Sequence, residues 1–374
     1  MFRRMIEFTN YTFDQYPSCS VQVSAFTPVE NGSEYHMIFQ IREFGKRQLD
    51  KKKEEAIDIL HNCVQEYLSR EPYSKAKRVF ARYFLRNAKD QRPRIHTRKI
   101  FPASCAISCI EQPPANGSQI ALWVYLRDPG TDTEKYTHFW ITERYCLAGD
   151  VSGQTLTLLT DYEKWLHAKG CSMADNCLRT WFYIQDIDTN YAAFAKARTD
   201  YFRKIGLTEQ THYIASTGIE GSNGTDSSLV TMDAYAVAGL EPSRIKYLQG
   251  LSHLSPTNIY GVTFERGVAL TFDDRQQVLI SGTASIDKSG NVLHIDDIRA
   301  QSLRMIENVE VLLAEAEASY EDVAQIIVYL RRQQDYQLVQ DLFASRFPAI
   351  PTVIVMGKVC RPAWLIEMEC IALL

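Results

Sequence analysis

The sequence predicts an α+β chain in which one unit, a mixed β-sheet with helices on one face, occurs three times. Three observations carry this. At 374 residues the chain is too long for one ordinary core. Stretches with apolar residues at three- and four-residue spacing alternate with short apolar β-runs. The order helix, strand, helix, two closing strands then recurs at a similar spacing. The expected limits of the units are 1–130, 131–245 and 246–374.

In the first unit a strand is expected from His36 to Ile41, a helix from Lys52 to Leu68 and a strand from Phe80 to Leu85. Two closing β-runs follow, Cys105 to Glu111 and Ile120 to Leu126. The second helix reads as degenerate, because Asp90 to Lys99 is charged and holds Pro93. In the second unit Leu156 to His167 reads as a helix ended by Gly170, and Leu178 to Ile184 as a strand. Tyr191 to Ile205 reads as a helix stopped at Gly206, with Tyr213 to Ile219 and Leu229 to Val237 as closing β-runs. In the third unit two β-runs, from Gly261 and from Val278, precede a helix carrying Leu303, Ile306, Val309, Leu313 and Ala316. Ser319 and Asp322 have capping-box spacing before the β-run Ile326 to Leu330. A helix from Tyr336 to Phe347 is stopped by Pro348 and Pro351, and two β-runs close the chain. The strands after the first helices align as Arg82-Tyr83-Phe84, Thr180-Trp181-Phe182 and Val328-Tyr329-Leu330.

Composition narrows the function. Apolar residues make up 45% and charged residues 23%, the balance of a globular protein. A net charge of -4 gives no general attraction to nucleic acid or to an anionic membrane. The basic run Lys46 to Lys53 is broken by Asp50 and passes into Glu54-Glu55, which reads as a solvated helix start. No apolar run nears the roughly 18 residues of a membrane span. Two arginines follow Met1-Phe2 without an apolar stretch behind them, so no signal peptide is expected. Nine scattered cysteines form no CxxC pair, which suits free thiols in a reducing cytoplasm. The eight histidines lack ligand spacing, so neither a metal nor another cofactor is expected.

The residues that point to chemistry cluster near the end. Glu367 stands between Ile366 and Met368 on a β-run, a setting in which burial raises a carboxyl pKa. Glu369 shares its face by period two and can either repel Glu367 or bond to backbone. Cys360 lies seven residues before Glu367. Arg266, which follows a strand, and Arg331, which ends another, are candidates for holding an anionic substrate, as are Arg179, Arg198 and Arg361. Gly282 and Ala284 allow close approach of backbone, and Tyr260 is a candidate wall. The closing strand of the first unit has no carboxylate and that of the second only Asp233, so at most one cleft is fully equipped.

Two resemblances follow from these residues. The last third resembles the RidA (YjgF) family through Leu279-Ile280-Ser281-Gly282-Thr283-Ala284, Ser319-Tyr320-Glu321-Asp322-Val323, Arg346-Phe347-Pro348 and Ile366-Glu367-Met368-Glu369. That family forms trimers with ligand clefts between subunits, so the resemblance implies a trimer fused into one chain, monomeric as a pseudo-trimer. The substrate-gripping arginine of the family's Pro-Ala-Arg motif is absent from Ala349-Ile350-Pro351-Thr352-Val353, which argues against ordinary enamine/imine deamination. Over nearly the whole chain the sequence resembles the chorismatases, which share that fold. The matching residues include Arg179-Thr180-Trp181-Phe182-Tyr183, Ala197-Arg198, Ala215-Ser216-Thr217-Gly218-Ile219, Phe264-Glu265-Arg266, Tyr329-Leu330-Arg331 and Cys360-Arg361-Pro362.

The chorismatase resemblance implies removal of the enolpyruvyl group of chorismate as pyruvate, with Glu367 as general acid. It places Arg266, Arg331, Gly282, Ala284, Tyr260 and Thr217 against the substrate. It also implies 3-hydroxybenzoate as product, since a cysteine at the place of Cys360 accompanies that outcome. Other members yield a dihydrodiol. The alternatives are a RidA-like deaminase and a non-catalytic ligand- or RNA-binding protein of the same fold.

Overall fold

The structure is a computed structural model and describes residues 6–29, 32–42, 55–129, 135–257 and 261–374. It contains three sheets among the described residues. The first is built from β1 (Glu7–Thr12), β2 (Cys19–Phe26), β3 (Glu34–Ile41), β4 (Lys77–Leu85), β5 (Ala106–Glu111) and β6 (Ile120–Arg127), with α1 (Ala56–Leu68) and α2 (Ala88–Arg98). The second holds β7 (Thr137–Tyr145), β8 (Cys177–Ile184), β9 (Ala215–Glu220) and β10 (Val230–Ala238), with α3 (Val151–His167), α4 (Met173–Asn176) and α5 (Ile187–Lys204). The third holds β11 (Ile245–Leu248), β12 (Gly267–Thr271), β13 (Gln276–Ala284), β14 (Val323–Leu330), β15 (Thr352–Met356) and β16 (Ile366–Leu373), with α6 (Ile298–Glu315) and α7 (Tyr336–Arg346).

The spatial orders share one block. β3-β6-β4-β5, β7-β10-β8-β9 and β13-β16-β14-β15 are the same four strands in the same order. In each block the outer pair is parallel and the rest antiparallel. A parallel pair needs a crossover, and α2, α5 and α7 supply it. Leu85, Ile184 and Leu330 each pair with the first residue of the closing strand, Ile120, Val230 and Ile366. They are therefore equivalent, and relative to the third unit the sequence alignment is corrected by one residue in the first unit and by two in the second. The one-residue slip matters because it reverses every side chain's face. With this register, Glu367 corresponds to Ala121 and Thr231, and Glu369 to Trp123 and Asp233.

The blocks close on one another cyclically. β5 packs against β7, β9 against β13 and β15 against β3, so equivalent edges meet in all three cases. This is a pseudo-threefold arrangement within one chain. Helices α1, α3 and α6 cover one face of their sheets, and the opposite faces join in a shared core with Phe80, Trp123, Trp181, Tyr235 and Tyr329. At its centre Arg82 is fully buried, 3.1 Å from Asp233 and 3.7 Å from Glu369.

Several local expectations change. The second helix of the first unit does form, as α2. Asn87 caps it, accepting from Asp90 N, and Arg92 and His96 bond to Glu143 across the next sheet. Tertiary anchoring outweighs the cost of Pro93. Leu303 is 40% exposed, and α6 instead buries Met305, Ile306, Val309, Leu312 and Leu313. The β-run expected from Gly261 is irregular until Gly267. β1, β2, β7 and β11 were not legible; β1 is a mostly exposed edge strand without an apolar alternation. The Ser319–Asp322 capping box is present. Gly206, with positive φ, stops α5 as expected, with Leu207 N bonded to Phe202 O and Gly206 N to Arg203 O.

Candidate active site

β16 is buried along its whole length between β13 and β14, so its carboxylates cannot be a solvated face. β13 bulges opposite it. Ile280 pairs with Cys370 and Thr283 with Met368, leaving Ser281 and Gly282 together across from Glu369. The bulge brings the Gly282 backbone onto Glu367. A Cβ at Gly282 would stand 2.1 Å from Glu367 Oε1, so no residue but glycine fits while the acid holds this position. Ala284 is the direct cross-strand partner of Glu367.

Glu369 is bound from the second unit. It accepts from Arg179 Nη2 at 2.8 Å, from Trp181 Nε1 at 2.9 Å and from the Thr217 hydroxyl. Thr217 Oγ1 also receives Gly282 N at 2.9 Å and Arg179 Nη2 at 2.6 Å. Of the two sequence alternatives, Glu369 therefore repels Glu367 rather than bonding to backbone. Burial first, and then Glu369, push the Glu367 carboxyl up to about 8 against the pull of Arg179. The acid is protonated at neutral pH. Cys360 is partly exposed as a residue, and burial of its thiol, with Glu367 beside it, pushes it up to about 12.

These groups face a cleft between α5 and β9 on one side and β13, β16 and the 360–364 turn on the other. Sequence-derived Glu367, Cys360, Arg266, Gly282 and Ala284 all line it, as do Arg198, Arg361 and Tyr191. Arg266 is buried and donates from Nε and Nη2 to Ser255 O at 3.1 and 3.0 Å. Arg198 is buried over the Phe194 ring, 5.0 Å from its centroid, and Arg361 lies 5.2 Å from the centroid of Trp364. The cavity itself is about 30 Å³. That is room for a water, not for a six-membered ring.

Two sequence choices lie elsewhere, and one lies outside the described residues. Arg331 is not at the cleft. Its two terminal nitrogens reach the two Asp188 oxygens at 3.0 Å each, and it also donates to Val359 O, Arg361 O and Trp364 O. Its fork is saturated by that turn, so it holds Cys360 and Arg361 in place rather than facing the cleft. Thr217 sits behind the cleft wall, between Gly282 and Glu369. Tyr260 falls in 258–260, outside the described residues. Sequence reasoning passed over Tyr191 and ranked Arg198 low. Their seven-residue spacing on α5 and the period-two pairs Ser216/Gly218 and Phe264/Arg266 were the available signals.

The two equivalent clefts differ. Between the first and second units, Glu143 occupies the place of Gly282 in a matching bulge. Its carboxylate is taken by Arg92 at 2.9 Å, His96 at 3.0 Å and Cys109 N at 2.7 Å. His96, Cys109 and Glu143 bring ligand-type atoms within 4.8 Å of one another, but Arg92 already places a cation on that carboxylate. Between the third and first units the cleft is open.

Fold and cleft together define the class: a RidA/YjgF-like α+β protein with three such units in one chain and, among the described residues, one cleft bearing a buried carboxyl whose pKa is raised. Residues 268–374 match the family model described as Endoribonuclease L-PSP. A RutC family protein of Pyrococcus abyssi is 33% identical over 97 residues, which is 25% of this chain and 76% of that protein. The chain thus belongs to the RutC family through its last third. The 3-aminoacrylate deaminase RutC of Acinetobacter baylyi is 31% identical over 71 residues, covering 19% of this chain and 56% of the deaminase. A chorismatase crystal structure shares the fold over 92% of this chain and 99% of its own, with a TM-score of 0.63 at 16% identity.

Proposed function

We propose that the chain is a chorismatase-like enzyme that releases pyruvate from chorismate. The observation that carries this reading is Glu367, a carboxyl raised to about 8 in a cleft lined by Arg198, Arg266 and Arg361. Cleaving a vinyl ether begins with a proton delivered to its terminal carbon, which needs an acid still protonated near neutral pH. Glu367 is such an acid. Protonation leaves an oxocarbenium ion, and the Glu367 carboxylate just formed stands beside that positive charge. The ring C3–O bond then breaks and its electrons leave with pyruvate, while the neighbouring C4 hydroxyl oxygen closes onto C3 and gives up its proton. That three-membered ring reopens at C4, the C3 hydrogen leaves as a proton, and the oxygen stays on C3 as the 3-hydroxyl. No water is consumed on the aromatising route, because chorismate has the atoms of a hydroxybenzoate plus pyruvate.

Chorismate is a dianion, and three arginines around one acid suit two carboxylates. No arginine stands on β9 at the cleft, where Ser216 and Gly218 do, which weighs against the deaminase reading. The narrow cavity means that binding must displace lining side chains. Cys360 beside Glu367 supports exclusion of a nucleophilic water and hence 3-hydroxybenzoate. We further propose that the units divide near 130 and 245.

Incubation with chorismate, a pyruvate assay and chromatography of the ring products test the reading. Pyruvate together with 3-hydroxybenzoate is expected. No pyruvate above the spontaneous rate would overturn the reaction, and a dihydrodiol alone would overturn only the product.

A further inference from the structure

The open cleft between the third and first units is the same construction as the acid cleft, turned by one unit. β15 takes the place of β9, α7 that of α5, and β3 that of β13. The equivalence holds residue by residue. Thr352 and Ile354 line it where Ser216 and Gly218 line the acid cleft, and Gln40 and Arg42 line it where Ala284 and Ile286 do. At the place of Glu367 stands Ala121, which has no proton to give.

The cleft has not collapsed. Its volume is about 550 Å³, within the range of small-molecule sites. The cleft between the first and second units shows the contrast, since Glu143, Arg92 and His96 fill it from within. The walls of the open cleft are pinned. Gln40 Nε2 donates to Thr352 O at 3.0 Å, Gln22 Oε1 accepts from Thr352 N at 3.3 Å, and Asn116 Nδ2 donates to Ile41 O at 3.0 Å. Among the described lining residues Arg42 alone is charged and none is acidic. Tyr336, Phe343 and Phe347 add an aromatic side, with the Phe343 and Phe347 rings tilted by 59° to each other.

We propose that this cleft is a second, non-reacting site for a small ring-bearing monocarboxylate. One arginine matches one carboxylate, against three arginines in the acid cleft. The aromatic side matches a planar ring, and the missing acid means that the ligand is held and not transformed. The inference is independent of the reaction assigned to Glu367.

Sodium benzoate is the probe, titrated calorimetrically into the full chain. Wild type is expected to bind it at millimolar concentration or below. Arg42→Ala should raise Kd tenfold or more. Ala344→Trp, at an exposed position on the cleft wall, should abolish binding by filling the space. Arg266→Ala in the acid cleft should leave it unchanged. No binding to wild type would overturn the proposal. So would loss only in Arg266→Ala, which would assign the site to the acid cleft. Sensitivity to Arg42→Ala without sensitivity to Ala344→Trp would also overturn it, as simple surface ion pairing.

Discussion

At the residue scale the chemistry turns on one buried carboxyl. If Glu367 is the acid, Glu367→Gln keeps the fold and lowers turnover of chorismate by roughly 10²-fold or more, as for loss of a general acid. Steady-state kinetics of pyruvate release check this. Activity should fall as pH rises through about 8, where the acid is lost. Glu369→Gln removes the neighbouring negative charge, so that limb should move to lower pH. Stability carries the same signature. The folded carboxyl binds its proton more tightly than the unfolded one, so its contribution is intact below about 4.3 and is lost as pH rises toward 8. Thermal melts of Glu367→Gln should therefore gain on wild type between those limits, and parallel curves would refute the raised value. Gly282→Ala tests the close approach. A Cβ there collides with Glu367, so turnover should fall while Ala284→Gly is tolerated better. Cys360→Ala should shift ring products toward the dihydrodiol, read by chromatography.

At the element scale the 359–364 turn is the part to watch. Arg331 ties it to Asp188 at the start of α5, so one side chain joins the second and third units beside the acid. Arg331→Ala should loosen the turn, lowering Tm and kcat together, and Lys should rescue only partly because it cannot present a planar fork. Arg266→Ala and Arg198→Ala should instead raise KM for chorismate, by about ten- to a hundredfold if a charged hydrogen bond of roughly 1.5–3 kcal/mol is lost. A normal KM in both would make these arginines structural. α2 belongs to this scale too. Its charged sequence with Pro93 argued against a helix, but Arg92 and His96 earn their place through Glu143, a residue some 50 positions away.

At the scale of the whole molecule, the buried charges of the axis hold three sheets in register. Arg82 and Arg179 face Asp233 and Glu369, and each ion pair joins different sheets. Arg82→Met leaves Asp233 buried without its arginine, which should cost about 3–5 kcal/mol in urea unfolding. Adding Asp233→Leu should recover much of that, since an apolar pair replaces a desolvated ionic one. Full loss in the double variant would point to packing instead. Because all three equivalent edges meet within the chain, sedimentation should give a monomer.

The repeated units, the resemblance that identifies them and the acid on β16 were legible in the sequence because each is local: a period, a turn residue, a carboxyl between apolar neighbours. Glu367, Cys360, Gly282, Ala284 and Arg266 could be named from such patterns. What only tertiary structure decided was partnership. Arg331 and Arg198 look alike as strand-end and helix arginines, and the exchange of roles between them depends on which surface each side chain reaches after three sheets close cyclically. The same closure set the Glu367 proton affinity, because Glu369 repels it only when Arg179, Trp181 and Thr217 from another sheet hold Glu369 in place. It also decided which of the other two equivalent clefts is filled by Glu143 and which stays open. Long-range contacts between equivalent edges have no period in the sequence, and slips of one and two residues in aligning the repeats were enough to hide them.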